Sequence, residues 1–235
     1  MITIKNLIKN YGKLEVIKGM DLLIKSGGIF AILGPNGSGK TTLIKSILGM
    51  VIPNHGEITL DGSSVIQKHA YRKDIDYLPQ IANFPNNLTV TELIKMVKDL
   101  RNKSTREDML IRLFGLEDFL NKKLGNLSGG TRQKVNLVLA FMFDSSLVIL
   151  DEPTSGLDPV SLIRLKRLIL DEKARGKTVL ITSHIMEFVE EMSDEIVFLL
   201  DGKIHFQGTT VELKQKTGKP DLEQAIAAIL MDEDV

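Results

Sequence analysis

Residues 34–41 follow the pattern G-x-x-x-x-G-K-[ST], whose residue types suit the binding of a polyphosphate. Glycines let backbone N–H groups wrap phosphate oxygens, the lysine ammonium reaches the terminal phosphates, and the threonine hydroxyl can bind Mg²⁺. The alternative is a glycine-rich turn with an exposed lysine. The segment comprises Gly34, Pro35, Asn36, Gly37, Ser38, Gly39, Lys40 and Thr41, with Thr42 as a further hydroxyl candidate.

Two adjacent carboxylates follow the apolar run at residues 147–150. Asp151 can hold Mg²⁺ directly or through water. Glu152 can polarise a water molecule that is aimed in line at a γ-phosphate. An Asp-Glu pair alone is as readily a turn or a helix cap, but beside the phosphate-binding motif it predicts phosphoryl transfer to water.

A second glycine-containing segment, Ser128-Gly129-Gly130, precedes a stretch that predicts a helix running toward residue 143. The first turn of a helix offers backbone N–H groups and a positive dipole end to an anion. We expect that one folded copy cannot bring both glycine-rich segments onto the same nucleotide. This pairing predicts ATP as the substrate and a dimer as the active form.

The elements around these motifs alternate between strands and helices. Short apolar runs predict strands at residues 2–8, 16–24 and 29–33, and the glycine-rich motif follows the third run directly. A helix is predicted from Lys40 to Gly49, so the motif has the strand, loop and helix context that its function requires. Further strands are predicted at residues 57–61, 75–78, 147–150, 178–182, 195–200 and 203–206. Such alternation predicts a mainly parallel sheet.

Composition excludes several classes of function. The 235 residues suit one large domain, and the 30 basic residues balance the 30 acidic ones, so net charge gives no reason to expect a nucleic-acid partner. Cysteine is absent, which excludes disulfides and thiol catalysis. His55, His69 and His205 have no recognisable metal-ligand spacing and are predicted to be surface or packing residues. No apolar run approaches the ~20 residues of a membrane-spanning helix.

Taken together, these motifs resemble the ATPase subunit of an ATP-binding-cassette (ABC) transporter. The resemblance covers residues 1–215 and lies in the order and spacing of four segments. They are the phosphate-binding motif, residues 127–131 (LSGGT), residues 151–154 (DEPT) and residues 155–158 (SGLD). The resemblance implies that this chain hydrolyses ATP.

The resemblance also implies roles for residues that the motifs alone do not identify. Tyr11 matches the aromatic residue that stacks on adenine. Gln80 matches the glutamine that reaches Mg²⁺ and the attacking water, so Thr41, Gln80 and Asp151 are the implied metal ligands. His184 matches the histidine that contacts the γ-phosphate.

In the family, the segment from Ser128 to Gly130 binds the γ-phosphate of ATP that the other subunit holds. Asp158 matches an aspartate that crosses the same dimer interface, and it can also cap the helix that Pro159 starts. The family usually has glutamine where this chain has Thr131, which removes a ribose contact. Because Glu152, Gln80 and His184 are present, we predict two competent hydrolytic sites in the dimer.

The implied fold class is α/β, a P-loop NTPase with a RecA-like, mainly parallel sheet core. An antiparallel β subdomain lies in the N-terminal part, and an α-helical subdomain is inserted. We expect a single ABC ATPase domain over residues 1–235. Its parts are the core with the β subdomain at about 1–85 and 144–215, the helical subdomain at about 86–143, and a short helical tail at about 216–235.

The resemblance further implies two protein partners. One is a second copy of the chain in a head-to-tail dimer over two Mg·ATP, and the other is an integral membrane permease that docks near residues 80–85. We therefore expect a cytoplasmic protein that is peripheral on the cytoplasmic face of the inner membrane through its permease. The C-terminus and residues 86–92 resemble exporter-type ATPases. Residues 81–85, 131–136 and 182–186 are similar to the branch that serves copper-site maturation of nitrous oxide reductase.

Two alternatives remain open at this stage. The first is a non-transport ABC ATPase, either regulatory or associated with nucleic acid, but this chain has neither long coiled-coil insertions nor two cassettes. The second is a nucleotide-binding module without turnover, which the presence of Glu152 and His184 disfavours. Nothing in the chain predicts copper binding, so a cargo site would belong to partner proteins.

Overall fold

A computed structural model describes residues 1–231 of the chain. Within that range, ten strands form two sheets and eight α-helices surround them. The strands are β1 (Ile2–Tyr11), β2 (Leu14–Ile24), β3 (Gly28–Leu33), β4 (His55–Leu60), β5 (Ser63–Ser64), β6 (Ile75–Leu78), β7 (Leu147–Asp151), β8 (Thr178–Thr182), β9 (Glu195–Leu200) and β10 (Lys203–Gly208). The helices are α1 (Lys40–Ile47), α2 (Val90–Arg101), α3 (Glu107–Phe114), α4 (Gly129–Phe141), α5 (Pro159–Ala174), α6 (Met186–Met192), α7 (Thr210–Thr217) and α8 (Leu222–Leu230).

The larger sheet has the strand order β10-β9-β3-β8-β7-β6. All its pairings are parallel except that of β9 with β10. Strands β3, β7 and β8 are almost wholly buried, because helices cover both faces of a parallel sheet. The carboxyl ends of β3, β8, β7 and β6 therefore lie side by side along one edge.

The smaller sheet is antiparallel and has the order β2-β1-β4-β5. Strands β1 and β2 form a hairpin in which Tyr11 pairs with Leu14 at the turn. The inward side chains of this sheet share one apolar cluster with helix α1 and with β3 and β7 of the larger sheet. This packing holds the hairpin end of the small sheet against the start of α1.

Local sequence accounts for the helix boundaries. Thr89 and Glu92 form a capping box at the start of α2, and Thr209 and Glu212 form one at α7. Helix α5 starts with Asp158 as its N-cap and a proline in the first position. Helices α1, α3 and α7 end close to glycines that adopt a left-handed backbone conformation.

Helices α2, α3 and α4 lie between β6 and β7 in the chain. Their apolar faces join one cluster with residues of the larger sheet, such as Val148, Leu150 and Val179. A third cluster places α6 and α8 against β3 and β9. The inserted helices are thus packed on the larger sheet.

The structure confirms the predicted α/β fold class, with its parallel core, its antiparallel sheet and its helical insertion. No helix in residues 1–231 combines the length and the apolar character needed to cross a bilayer. The predicted tail at 216–235 extends beyond α8, and its last four residues, 232–235, lie outside the described residues.

Candidate nucleotide site

A pocket lies at the edge where the parallel strands end. Ligands of open α/β sheets bind outside the carboxyl ends of the strands, because the loops there can approach from several strands at once. The loop after β3, the residues after β6 and the end of β7 all reach this pocket. Its lining consists of Leu14, Val16, Asn36, Gly37, Gly39, Lys40, Thr41, Thr42, Gln80, Asp151 and Glu152.

The phosphate-binding loop has a backbone that only glycine adopts readily. Gly39 precedes α1 with φ of 104°, and no side chain caps the first turn of that helix. Gly34 has φ of 149°, and a Cβ atom there would overlap the carbonyl oxygen of Leu199. The first N–H groups of α1 are therefore left to bind an anion, in the manner expected of a phosphate loop.

Lys40 lies folded back on its own loop. Its Nζ donates to the carbonyl oxygens of Gly34 at 2.7 Å and Pro35 at 3.0 Å. Burial lowers the pKa of Lys40, while the nearby carboxylates of Glu152 and Asp151 act in the opposite direction. A phosphate group in the pocket would add further negative charge near this half-buried ammonium.

The two carboxylates are held by residues of β8 and the loop after it. Asp151 is paired in register with Thr182, whose hydroxyl donates to Asp151 Oδ1. Glu152 is buried and has a left-handed backbone with φ of 53°, an uncommon conformation for a residue with a side chain. The Oε2 atom of Glu152 lies 2.8 Å from Nδ1 of the exposed His184.

Tyr77 lies near the Asp151 carboxylate but is not among the residues that line the pocket. It lies on β6, paired with Ile149 of β7. Burial, with a smaller contribution from the Asp151 carboxylate, raises the pKa of Tyr77 to about 12. Tyr77 is thus a neutral hydroxyl at physiological pH.

The second glycine-containing segment does not line this pocket, according to the described residues. It forms the start of α4, where Ser128 is the N-cap and its Oγ accepts the N–H of Thr131 at 3.2 Å. The hydroxyls of Ser128 and Thr131 lie 2.9 Å apart. Ser128 and Gly129 are exposed, so this helix start faces outward from its own chain.

Helix α4 is joined to the loop that follows Glu152. Gln133 donates from Nε2 to the carbonyl oxygen of Pro153 at 3.3 Å, and Lys134 pairs with Asp158 at 2.7 Å. The Lys134 ammonium and then the N–H of Ser161 hold the pKa of Asp158 well below its ordinary value. The start of α4 is therefore linked to the loop at 153–158 by a hydrogen bond and an ion pair.

Most of the predicted site residues meet in the pocket or support it. His184 touches Glu152 rather than the pocket wall, and the carbonyl groups of Gly34 and Pro35 hold Lys40. Ser38 is buried within the loop. Tyr11 is 49% exposed at the hairpin turn and lies beside the lining residue Leu14, its partner across the strands.

Sequence reasoning missed three residues of the site. Leu14 and Val16 form an apolar wall of the pocket, and Thr182 binds the Asp151 carboxylate and the backbone N–H of Glu152. A leucine directly after Gly12-Lys13 was the available signal for Leu14, which the structure leaves 66% exposed. A threonine at the end of a strand whose three middle residues are apolar was the signal for Thr182.

Comparison with known proteins matches this chain to one protein family. Residues 17–155 match the family model described as ABC transporter. The ABC transporter ATP-binding protein YhaQ of Bacillus subtilis is 35% identical, with coverage of 94% of this chain and 76% of that protein. The Nod factor export ATP-binding protein I of Rhizobium meliloti is 37% identical over 86% of this chain, which spans 62% of that protein's length.

Solved structures agree with this assignment. The ATP-binding subunit of an ABC transporter superposes with a TM-score of 0.91 at 28% identity, covering 98% of this chain and 99% of that one. The dimeric structure of MJ0796, a bacterial ABC transporter cassette, superposes with a TM-score of 0.81 at 26% identity, covering 89% and 98%. Sequence and fold comparisons thus lead to the same family.

Proposed function

Because the chain belongs to the ABC transporter family as an ATP-hydrolysing subunit, we propose that its pocket is half of a composite site that a second copy completes. The observation that carries the proposal is the convergence of Lys40, Thr41, Gln80, Asp151 and Glu152 on one pocket. These residues supply the cation, the hydroxyl, the amide and the two carboxylates that phosphoryl transfer to water requires.

The two carboxylates and the lysine have separate roles in the proposed hydrolysis. Lys40 leaves the carbonyl groups of its own loop and binds the β- and γ-phosphates of ATP. Glu152 polarises a water molecule for in-line attack on the γ-phosphorus, and the products are ADP and phosphate. His184, whose ring nitrogen contacts Glu152, orients that carboxylate and reaches the γ-phosphate.

The donor set in the pocket suits Mg²⁺, which prefers oxygen ligands. Thr41 offers a hydroxyl, Gln80 an amide oxygen and Asp151 a carboxylate, and all three line the same pocket. We propose these residues as the ones that hold the ion. Bound Mg²⁺ supplies charge neutralisation of the β- and γ-phosphate oxygens.

The start of α4 is proposed to bind the γ-phosphate of ATP held by the other copy. Gly129 supports this role because its own fold does not require a glycine there. Its φ is not positive, and nothing lies within 4 Å of the position that a Cβ would occupy. A glycine without a backbone need, exposed at a helix start, suits a close approach from outside the chain. A dimer in which each copy contributes α4 to the other's pocket is head to tail.

A permease is the second proposed partner, and it docks on residues 80–85. Ile81 is 74% exposed and is the accessible apolar side chain of this segment, whereas Phe84 packs against the core. Ile81 is therefore the better position for testing the contact. Through this permease the protein would be located at the cytoplasmic face of the inner membrane.

Transport is proposed to use a movement of the helical subdomain at about 86–143 relative to the core at about 1–85 and 144–215. Gln80 stands at the start of this subdomain and lines the pocket, so it links nucleotide to permease. The Nod factor export relative supports an exporter. Service to a copper enzyme stays a prediction. Stimulation of the ATPase by nucleic acid, without a permease partner, would instead favour the non-transport alternative.

The variant Glu152→Gln tests the proposed role of the Glu152 carboxylate in ATP hydrolysis. Losing the carboxylate that polarises water is expected to lower ATP turnover by about 10²-fold or more while nucleotide binding remains. Phosphate release and binding of a fluorescent ATP analogue measure the two quantities. The matched control is Glu223→Gln on the exposed face of α8, which should leave both unchanged. Unchanged turnover in Glu152→Gln would overturn the assignment.

A further inference from the structure

Thr182 contacts the carboxylate of Asp151 and the backbone of Glu152 without lining the pocket. It is the last residue of β8, is fully buried, and lies in register with Asp151 on the neighbouring strand β7. A polar residue at such a position requires hydrogen-bonding partners, because burial without them is costly.

The hydroxyl of Thr182 has two hydrogen-bonding partners, one at the last residue of β7 and one at the residue directly after it. It donates to Asp151 Oδ1, and its Oγ1 accepts the backbone N–H of Glu152 at 3.1 Å. The chemistry fixes the direction of these bonds. The N–H of Glu152 can only donate, so the single hydroxyl hydrogen of Thr182 goes to the Asp151 carboxylate.

The same hydroxyl also contacts Glu152, whose backbone conformation is unusual. With φ of 53°, Glu152 is in the left-handed region, where a residue with a side chain is held only if its surroundings impose the conformation. Its N–H is shared between Oγ1 and the carbonyl oxygen of Thr182, each at 3.1 Å. The carbonyl bond continues the sheet, so the hydroxyl is the additional contact that is specific to threonine or serine.

We propose that Thr182 is a positioning residue for ATP hydrolysis. By holding Oδ1 it sets the plane in which the Asp151 carboxylate is presented to the metal and the phosphates. By binding the N–H of Glu152 it helps to maintain the backbone turn that aims the Glu152 carboxylate into the pocket and toward His184. The inference rests on the proposed roles of Asp151 and Glu152, and it adds a buried hydroxyl to that site.

The effect of removing the hydroxyl is separable from an effect on folding. Valine has nearly the shape of threonine, and the backbone bond from Glu152 to the carbonyl of residue 182 would remain. Thr178 offers a matched control, because it is buried on the same strand and its hydroxyl accepts the backbone N–H of Gly27 at 2.9 Å. Thr178 lies at the other end of β8, away from the pocket.

The experiment compares Thr182→Val, Thr182→Ser and Thr178→Val. We expect Thr182→Val to lower kcat by roughly tenfold or more, as for the loss of a hydrogen bond to a charged group, with KM for ATP nearly unchanged. A second readout does not depend on turnover. The gain in affinity for a fluorescent ATP analogue on adding Mg²⁺ should shrink in Thr182→Val, while affinity in EDTA stays the same.

Thr182→Ser should restore both quantities, and Thr178→Val should leave both at the level of the unmodified protein. If the valine variant does not fold, Thr182→Ala replaces it, because a smaller side chain cannot overpack the site. The inference is overturned if the hydroxyl-free variant keeps its kcat and its Mg²⁺-dependent affinity, or if serine does not rescue. Normal turnover in Glu152→Gln would instead mean that the proposed function has failed.

Discussion

Helices α1 and α4 both begin beside glycines, but their first turns are built differently. The N-cap of α1 is Gly39, and no side chain there accepts a hydrogen bond from the helix. The N-cap of α4 is Ser128, whose Oγ accepts the N–H of Thr131. One helix start is open above a pocket of its own chain, whereas the other is capped and faces outward. The first lines a pocket of its own chain, and the second is proposed to bind a nucleotide held by a second copy.

The glycines of the two segments also differ, because the fold of the chain requires one of them and not the other. Gly34 is required by the fold of its own chain, because its φ is 149° and Leu199 leaves no room for a side chain. Gly129 has neither constraint. The fold of the chain itself therefore accounts for Gly34, whereas the reason for Gly129 is the proposed approach of a nucleotide held by a second copy.

The largest effect is expected at Gly34. In Gly34→Ala the new Cβ would overlap the backbone of β9 at a positive φ, so we expect a loss of about 3 kcal/mol or more in the free energy of unfolding. Denaturant titration of the nucleotide-free protein measures this loss. If Gly34→Ala unfolds at the denaturant concentration of the unmodified protein, the contrast between the two segments is wrong.

The next largest effect is expected on ATP-driven dimerisation when the exposed start of α4 is changed. Ser128→Arg places a bulky cation in the proposed interface, so we expect at least about a tenfold weaker ATP-driven dimer, with nucleotide binding by the monomer retained. Sedimentation in a Glu152→Gln background measures the dimer. Ser128→Ala removes the same cap, at ~1 kcal/mol, without the bulk. Equal dimerisation of the arginine variant and the unmodified protein would argue against the head-to-tail arrangement.

At Gly129 we expect a smaller change in the free energy of unfolding, opposite in sign to the loss expected at Gly34. Alanine is compatible with its backbone, so Gly129→Ala should raise the free energy of unfolding by about 0.4–1 kcal/mol. The same change should weaken ATP-driven dimerisation, because a methyl group would stand where the second copy's nucleotide approaches. Thermal unfolding and sedimentation measure the two quantities. A gain in stability with no loss of dimer would remove the proposed reason for this glycine.

The smallest effect is expected on the pH dependence of the free energy of unfolding. It arises at the junction of α4 with the loop at 153–158. Lys134 first, and then Ser161, hold the pKa of Asp158 below its ordinary value. A carboxyl with a depressed pKa stabilises the fold above its unfolded pKa of about 3.9 and ceases to do so as pH falls through the folded pKa. In Lys134→Met the pKa of Asp158 should rise, so the loss should be smaller and should be complete at a higher pH.

Titration of the Asp158 carboxyl by NMR checks this shift directly. Lys134→Arg is the matched variant, since it keeps a cation in reach of the carboxylate, and it should leave the titration close to that of the unmodified protein. A carboxyl pKa that stays the same in Lys134→Met would mean that the N–H and the hydroxyl of Ser161 govern it.

Much of the site was predictable because its signals are local. The glycine pattern at residues 34–41, the carboxylates after an apolar run and the strand, loop and helix around them depend on spacing over a few residues. Asp158 was predicted as a helix cap, and the structure confirms it, because Pro159 marks the first position of α5. Such features follow from backbone geometry and are independent of distant parts of the chain.

Contacts between distant segments depended on the tertiary structure. The pairing of Asp151 with Thr182 joins residues on two strands whose register is set by the packing of the whole sheet. The wall formed by Leu14 and Val16 exists because the small sheet packs on α1. The amino-acid sequence by itself determined the fold class and the kinds of chemical group in the site. Only the folded sheet decided which buried group touches which, since strand register is a property of long-range packing.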